Sequence, residues 1–226
     1  MNNVIAIDGP AASGKSTVAK RVAKVTNGLY VDSGALYRAI TWKALQEGID
    51  TTDFPANAKL AQSIEPEFFV SDNAVCFKIE GIELKEELRT KEVNHHVSFI
   101  AATPEAREVV VSWLRQMPEL GNLVMEGRDI GTAVFPNAKN KFYLDASPEE
   151  RARRRHAEQA VAGDTQSVKE VGSSLQRRDK IDSSRKKDPL KIADDAIIID
   201  STGKSIEDVV DIICRHTSLY KTEDKV

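Results

Sequence analysis

The sequence predicts an α/β fold: a five-stranded parallel sheet flanked by helices, with a small antiparallel β insert and a helical lid. Three observations predict it. Five short apolar runs, at residues 4–7, 29–31, 123–125, 142–144 and 196–199, show no polar alternation, as suits strands covered on both faces. Helical patterns lie between them, at 14–25, 36–47, 104–116, 148–162 and 205–216, and strands alternating with helices wind into such a sheet. A glycine-rich segment joins the first run to the first helix.

That segment, Gly9-Pro10-Ala11-Ala12-Ser13-Gly14-Lys15-Ser16, matches G-x-x-x-x-G-K-[ST] at every fixed position. Thr17 follows it into the helix. Glycines let backbone N–H groups wrap an anion, and the helix N-terminus adds a favourable dipole. In such a loop Lys15 reaches the β- and γ-phosphates of a nucleotide, and the Ser16 hydroxyl ligates Mg²⁺. The expectation is therefore a P-loop NTPase fold that takes Mg-ATP or Mg-GTP. No guanine-reading Asn-Lys-x-Asp is present: the one Asn-Lys pair, Asn140-Lys141, leads into Phe142-Tyr143. A switch GTPase is thereby disfavoured.

Several strands end on a polar residue: Asp8, Asp32, Glu126, Asp145 and Asp200. Ligand groups gather at such carboxyl ends. The second strand leads into Asp32-Ser33-Gly34-Ala35-Leu36-Tyr37-Arg38, which sets Arg38 one turn into the next helix. The third leads into Glu126-Gly127-Arg128-Asp129. Arginines beside a phosphate loop suit phosphoryl transfer, which is mostly positioning and charge neutralisation; each Arg alone would equally suit a surface salt bridge.

Residues 68–70, 75–79 and 82–84 are short β-like runs parted by Ser71-Asp72-Asn73 and Gly81. They predict the antiparallel insert, at about 65–86. Ser147-Pro148-Glu149-Glu150 is a helix start with a Ser cap, Pro and acids in the first turn. The helix so begun carries Arg151, Arg153, Arg154 and Arg155, and the next basic cluster holds Arg178, Asp182 and Arg185 at i, i+4, i+7. That spacing puts the three on one helical face, where they could also form a plain ion-pair ladder. Two basic helices joined by residues 162–166 predict a mobile lid over the phosphates, with Arg151 and Arg154 reaching ATP. Closing it would exclude water. Three regions follow: a core (1–32, 118–150, 190–220), an acceptor region with its insert (33–117), and the lid (151–189). The polar tail, 221–226, is expected to fray.

The chain has 226 residues, 41% hydrophobic and 30% charged, with net charge −3. This is a globular composition with no global basic field for nucleic acid. Residues 151–191 nevertheless hold twelve Lys/Arg against six Asp/Glu, which fits a local anionic ligand or a solvated helical face. Cys76 and Cys214 are isolated, read as packing thiols, and the four His complete no zinc pattern. No apolar run approaches a membrane span and no basic leader precedes residue 4, so the expectation is a cytoplasmic protein. No isologous apolar face stands out, which suggests a monomer.

Taken together, the phosphate-loop segment, Asp32-Ser33-Gly34-Ala35-Leu36-Tyr37-Arg38, Glu126-Gly127-Arg128-Asp129-Ile130-Gly131-Thr132 and Arg178-Asp179-x-x-Asp182-Ser183-x-Arg185 resemble bacterial cytidylate kinase. Arg89-Thr90-x-Glu92-Val93, Phe135-Pro136-Asn137-Ala138 and Asp200-Ser201-Thr202 match as well. The likeness runs in order along nearly the whole chain. It implies ATP-dependent phosphorylation of CMP and dCMP, with Lys15, Arg128 and Arg185 catalytic. It also implies that Ser33, Arg38, Arg128 and Arg185 hold the α-phosphate of CMP. Ser98, Arg107 and Asp129 would read cytosine, and Arg178 and Asp182 would contact the ribose. Lys186-Lys187-Asp188 departs from the family pattern, which suggests an apolar or small run there. Two rival readings stay open: a kinase for UMP, AMP or a metabolite hydroxyl, and a P-loop regulatory ATPase touching RNA through the basic segment. No aromatic stacking platform accompanies those arginines, which counts against the second.

Overall fold

The computed structural model describes residues 3–161 and 165–217. The predicted linker at 162–166 lies outside these residues for 162–164, as do the last predicted core residues, 218–220, and the tail at 221–226.

The chain enters the sheet with β1 (Val4–Asp8), then α1 (Lys15–Val25), β2 (Leu29–Asp32) and α2 (Ser33–Gln46). After α3 (Phe54–Ser63) come β3 (Pro66–Ser71), β4 (Ala74–Ile79) and β5 (Ile82–Glu83), then α4 (Lys91–Ala102) and α5 (Pro104–Gln116). The chain returns through β6 (Leu123–Gly127) and β7 (Asn140–Asp145), and continues as α6 (Pro148–Val161) and α7 (Val168–Ser184). It ends on β8 (Ile197–Asp200) and α8 (Ile206–Arg215). The order across the sheet is β3-β4-β2-β6-β1-β7-β8. The strands from β2 to β8 are all parallel, which makes the five-stranded parallel sheet. β4 pairs antiparallel with both β3 and β5, and joins β2 in parallel through the single pair Tyr30↔Ala74. The insert thus extends the main sheet.

Two apolar layers explain the runs without alternation. Ile5 and Ile7 point with Val124, Phe142 and Leu144 into a core shared with Val18 and Val22 of α1 and Val210 and Ile213 of α8. Ala6, Leu123 and Met125 face the opposite side, against Leu36 and Ile40 of α2, Ile100 of α4, and Val110 and Leu114 of α5. Successive side chains on a strand point to opposite faces, so burial on both faces makes every position apolar.

Helix starts follow their caps. Asp32 accepts from the Ala35 N–H at 3.0 Å, so α2 begins at Ser33 rather than at Leu36, and Arg38 sits in its second turn. The Ser147 hydroxyl accepts from the Glu150 N–H at 3.2 Å and caps α6 as expected. Helices α3 and α4 lie outside the predicted set. The signal for α4 was in the sequence: buried Val93, Val97, Ile100 and Ala101 recur at helical spacing, behind a Thr90 cap. Among the described residues no helix is long and apolar enough to cross a membrane. Both cysteines are free.

Candidate functional site

β1 and β6 run side by side, with Asp8 paired to Gly127 and Ile7 to Glu126. This register sets the start of the phosphate loop beside Glu126-Gly127-Arg128-Asp129. Gly9 has φ 152°, and a Cβ there would lie 2.0 Å from the Leu144 carbonyl oxygen. Only glycine lets β1 turn away so close to β7. Gly127 is equally tight: a Cβ would meet the Ser33 hydroxyl at 2.6 Å. That closeness lets Ser33 donate to the Glu126 carbonyl at 2.8 Å, tying the start of α2 to the end of β6.

A cleft of about 740 Å³ opens along this edge of the sheet. Ala11, Ala12, Gly14, Lys15, Ser16 and Thr17 line one end, while Gly9, Pro10 and Ser13 lie behind the lining. Ser33, Arg38, Ser98, Arg107, Arg128, Asp129, Arg178, Asp182 and Arg185 all line the same cleft. They come from five stretches spread over about 150 residues of chain, and the fold brings every one to this cleft. Eleven Lys/Arg and five Asp/Glu face this space, a charge imbalance that an anionic ligand would offset.

The electrostatics say the same. Lys15 is buried, and its Nζ donates to the Pro10 carbonyl at 2.8 Å. Burial, with the charge of Arg128, brings its pKa down to about 7. Burial and the nearby Arg128 and Arg38 lower Arg178 to about 10. Arg185 is lowered too, by burial and then by Arg107. The Nε atoms of Arg178 and Arg185, and Nη2 of Arg185, are buried without a hydrogen-bond acceptor. Unpaired buried donors of this kind cost stability until an acceptor arrives. Asp182 meets part of the demand: its carboxylate lies 3.0 Å from Arg128 Nε and 3.7 Å from Arg185 Nη1. The helical-face ladder is therefore half realised. Asp182 bridges across the cleft to Arg128, and Arg178 is left out of close pairing.

At the far end, Arg107 is only 1% exposed. Its Nη2 is paired with Asp129, its Nη1 donates to the Ala101 carbonyl at 3.3 Å, and its Nε lies 3.2 Å from Asp188. The guanidinium carbon stands 5.5 Å from the centre of the Tyr37 ring. Burial raises the pKa of Asp129, against the lowering effect of Arg107. Ser98 is buried on α4 and lines the same cleft as this pair.

The arginines of α6 divide. Arg151 pairs with Asp179 of α7 and donates to the Ala11 carbonyl at 3.2 Å. Arg154 donates to the Ser13 carbonyl at 3.2 Å, to Ser201 Oγ at 2.9 Å and to the Ser201 carbonyl at 2.8 Å. Both are bonded to the backbone of the phosphate loop, and Arg155 is the α6 arginine that lines the cleft. The crowded charge is met by carboxylates, with Glu150 pairing Arg153 and Arg154, and Glu158 pairing Arg155. Asp179 also accepts from the Ala11 N–H at 3.1 Å, so α7 is fastened directly to the loop.

Four functional candidates lie outside the residues given roles from the sequence. Ser16 Oγ donates to Glu126 Oε1 at 2.5 Å. Asp8 accepts from the N–H groups of Ile130 at 2.8 Å and Gly131 at 2.7 Å, which pins the π-helical turn Ile130–Val134 that follows Asp129. Asp179 and Asp188 complete the set. Asp8 and Glu126 were visible as strand-end acids, and Asp188 as a departure from the family pattern. Their partners are 81 to 123 residues away, which no local signal reports. Among the described residues no group of three His, Cys, Asp or Glu could hold a metal ion. The Ser16 hydroxyl and Glu126 carboxylate are hard oxygen donors. Such a sparse oxygen set fits Mg²⁺, which keeps several waters and takes the rest of its ligands from substrate phosphates.

Comparison with known proteins agrees with this architecture. The family model for cytidylate kinase matches residues 5–218. A cytidylate kinase of Geobacillus sp. (strain WCH70) is 46% identical over 94% of this chain and 95% of its own. Those of Bacillus subtilis (strain 168) and Clostridioides difficile (strain 630) are 45% and 44% identical, over 92% and 96% of this chain and 93% and 99% of theirs. Among solved structures, an uncharacterized protein from Eubacterium ventriosum aligns with TM-score 0.53 at 11% identity, covering 95% of this chain and 98% of that one, a likeness of fold alone. With its site assembled from the same motifs that carried the resemblance, the chain belongs to the cytidylate kinase family.

Proposed function

We propose that this protein transfers the γ-phosphoryl group of ATP to CMP and dCMP, giving ADP with CDP or dCDP. The observation that carries the reading is the buried Arg107–Asp129 pair at one end of a cleft whose other end is the phosphate loop. Cytosine offers an exocyclic amine beside the N3 and O2 acceptors. Asp129 accepts from the amine, and Arg107 donates to N3 and O2. Uracil sets a carbonyl against Asp129, and a site built around a polar pattern rejects the analogue that cannot satisfy it.

Between the two ends lie the unpaired donors. Ser33, Arg38, Arg128 and Arg185 hold the acceptor's α-phosphate, and Arg178 and Asp182 contact its sugar. Lys15 leaves the Pro10 carbonyl for the transferring phosphate, and its charge, with that of Arg128 and Arg185, stabilises the phosphoryl group in flight. The acceptor phosphate is already anionic, so no side chain need remove a proton. Ser16, backed by Glu126, is the protein ligand for Mg²⁺, which when bound would neutralise charge on the β- and γ-oxygens. Helices α6 and α7, with the rest of 151–189, act as a lid that closes over ATP and keeps water from competing with CMP.

No role given above calls for a second copy of the chain, which is the ground for action as a monomer. Its substrates are nucleotides, which supports a cytoplasmic setting.

The test is ADP release from Mg·ATP with CMP, dCMP, UMP, AMP, GMP or no acceptor. CMP and dCMP are expected to dominate. Release that favours AMP or UMP would remove the cytosine-reading roles, and release indifferent to acceptor would make the chain an ATPase.

A further inference from the structure

Lys186-Lys187-Asp188, where this sequence departs from the family pattern, folds back against the end of α7. The Leu190 N–H donates to the Asp182 carbonyl at 2.8 Å and closes the turn. Asp188 adopts φ 48°, a left-handed conformation that Asp tolerates better than most residues. Lys187 pairs with Glu108 of α5. Asp188 reaches Arg107, 81 residues earlier. It does so from behind: Asp188 lines a separate pocket of about 530 Å³ along α5, whereas Arg107 lines the main cleft.

We propose that Asp188 is a positioning residue that sets base specificity, fixing Arg107 from outside the cleft and making cytosine reading depend on the placement of the lid's last residues. The inference rests on the base-reading role given to Arg107 above. A guanidinium has a fixed fork of donors. Here Asp188 holds the Nε edge and the Ala101 carbonyl takes one Nη1 proton, which orients the plane beside Tyr37. The remaining Nη protons are thereby aimed into the cleft beside Asp129. CMP and UMP differ only in the polar pattern of one base edge, so rejecting UMP requires donors that cannot swing to suit it. Without Asp188 the guanidinium keeps Asp129 and Ala101 but gains freedom at its Nε edge.

The experiment compares kcat and KM for CMP and UMP, and KM for ATP, in the wild type, Asp188→Gly, Asp188→Asn and Lys187→Ala. Gly removes the carboxylate without straining the left-handed backbone. Thermal melts report whether each variant is folded. Loss of a charge-assisted hydrogen bond is expected to cut the CMP-over-UMP preference about tenfold in Asp188→Gly, through the KM for CMP, with ATP KM held within about twofold. Asp188→Asn keeps an acceptor for Nε and is expected to recover part of the preference; it also serves should the Gly variant not fold, with about a threefold loss. Lys187→Ala removes only the neighbouring pair and keeps the preference. If folded Asp188→Gly keeps its preference while Asp129→Ala loses it, Asp188 has no such role and the function stands. A wild-type enzyme indifferent to CMP and UMP would overturn the base-reading role, and this inference with it.

Discussion

Arg128 and Asp182 face each other across the cleft at 3.0 Å, one at the end of β6 and the other on α7. The pair joins the sheet to the proposed lid, and it does so in a cluster where Arg178 Nε and Arg185 Nε and Nη2 lack acceptors.

That crowding makes Asp182 a stabilising residue whenever phosphate is absent. Asp182→Asn is expected to lower stability by about 2 kcal/mol, since it leaves buried Arg185 and half-buried Arg128 and Arg178 less neutralised. Added inorganic phosphate or CMP should recover most of the loss. Melting curves with and without the anion check this, and a loss that no anion repairs would assign Asp182 to packing alone.

In the proposed reaction Lys15 meets the transferring phosphate. Lys15→Ala is expected to lower kcat by roughly a hundredfold to a thousandfold or more, as for other removed transition-state donors. Circular dichroism should show the fold unchanged. A near-normal rate in the folded variant would separate the loop from the chemistry.

Asp129→Ala is expected to damage CMP use far more than UMP use. In the proposed reading the change removes the acceptor for the cytosine amine and leaves Arg107 able to bond either base. The kcat/KM ratio between the two acceptors should fall by about a hundredfold. An unchanged ratio would take Asp129 out of base reading.

Asp8 gives a pH dependence. Burial raises its pKa from 3.8 to about 7, against the hydrogen bonds from Gly131 and Ile130. Between about pH 4 and pH 7 the folded protein therefore holds a proton that the unfolded chain has released. Its contribution to stability is fully present below about pH 4 and declines as pH rises through 7. Asp8→Asn, which cannot ionise, should remove this decline. Melting temperatures of both proteins from pH 4 to pH 8 give the comparison, and parallel curves would show that Asp8 titrates near its ordinary value.

Much of this is legible in the amino-acid sequence. The phosphate loop, the two motifs at the ends of β2 and β6, and the cluster on α7 are local sequence patterns, and each fixes a residue type to a turn or a helix face. Runs apolar at every position announced a sheet buried on both sides, because alternating side chains then all meet a core. Helix α4 was missed although its spacing was visible, since it sits between the insert and α5, away from the strand–helix rhythm.

What the tertiary structure alone decided is which charges meet. Asp8 holds the turn after Asp129, Glu126 takes the Ser16 hydroxyl, Asp182 crosses to Arg128, and Asp188 backs Arg107. It also bonded Arg151 and Arg154 to the backbone of the phosphate loop and left Arg155 lining the cleft. Local motifs and periodicity settle which chemistry is available, because they act over a few residues. Partnership between charges far apart in the chain depends on strand order and register, and those are settled only when the two core layers pack.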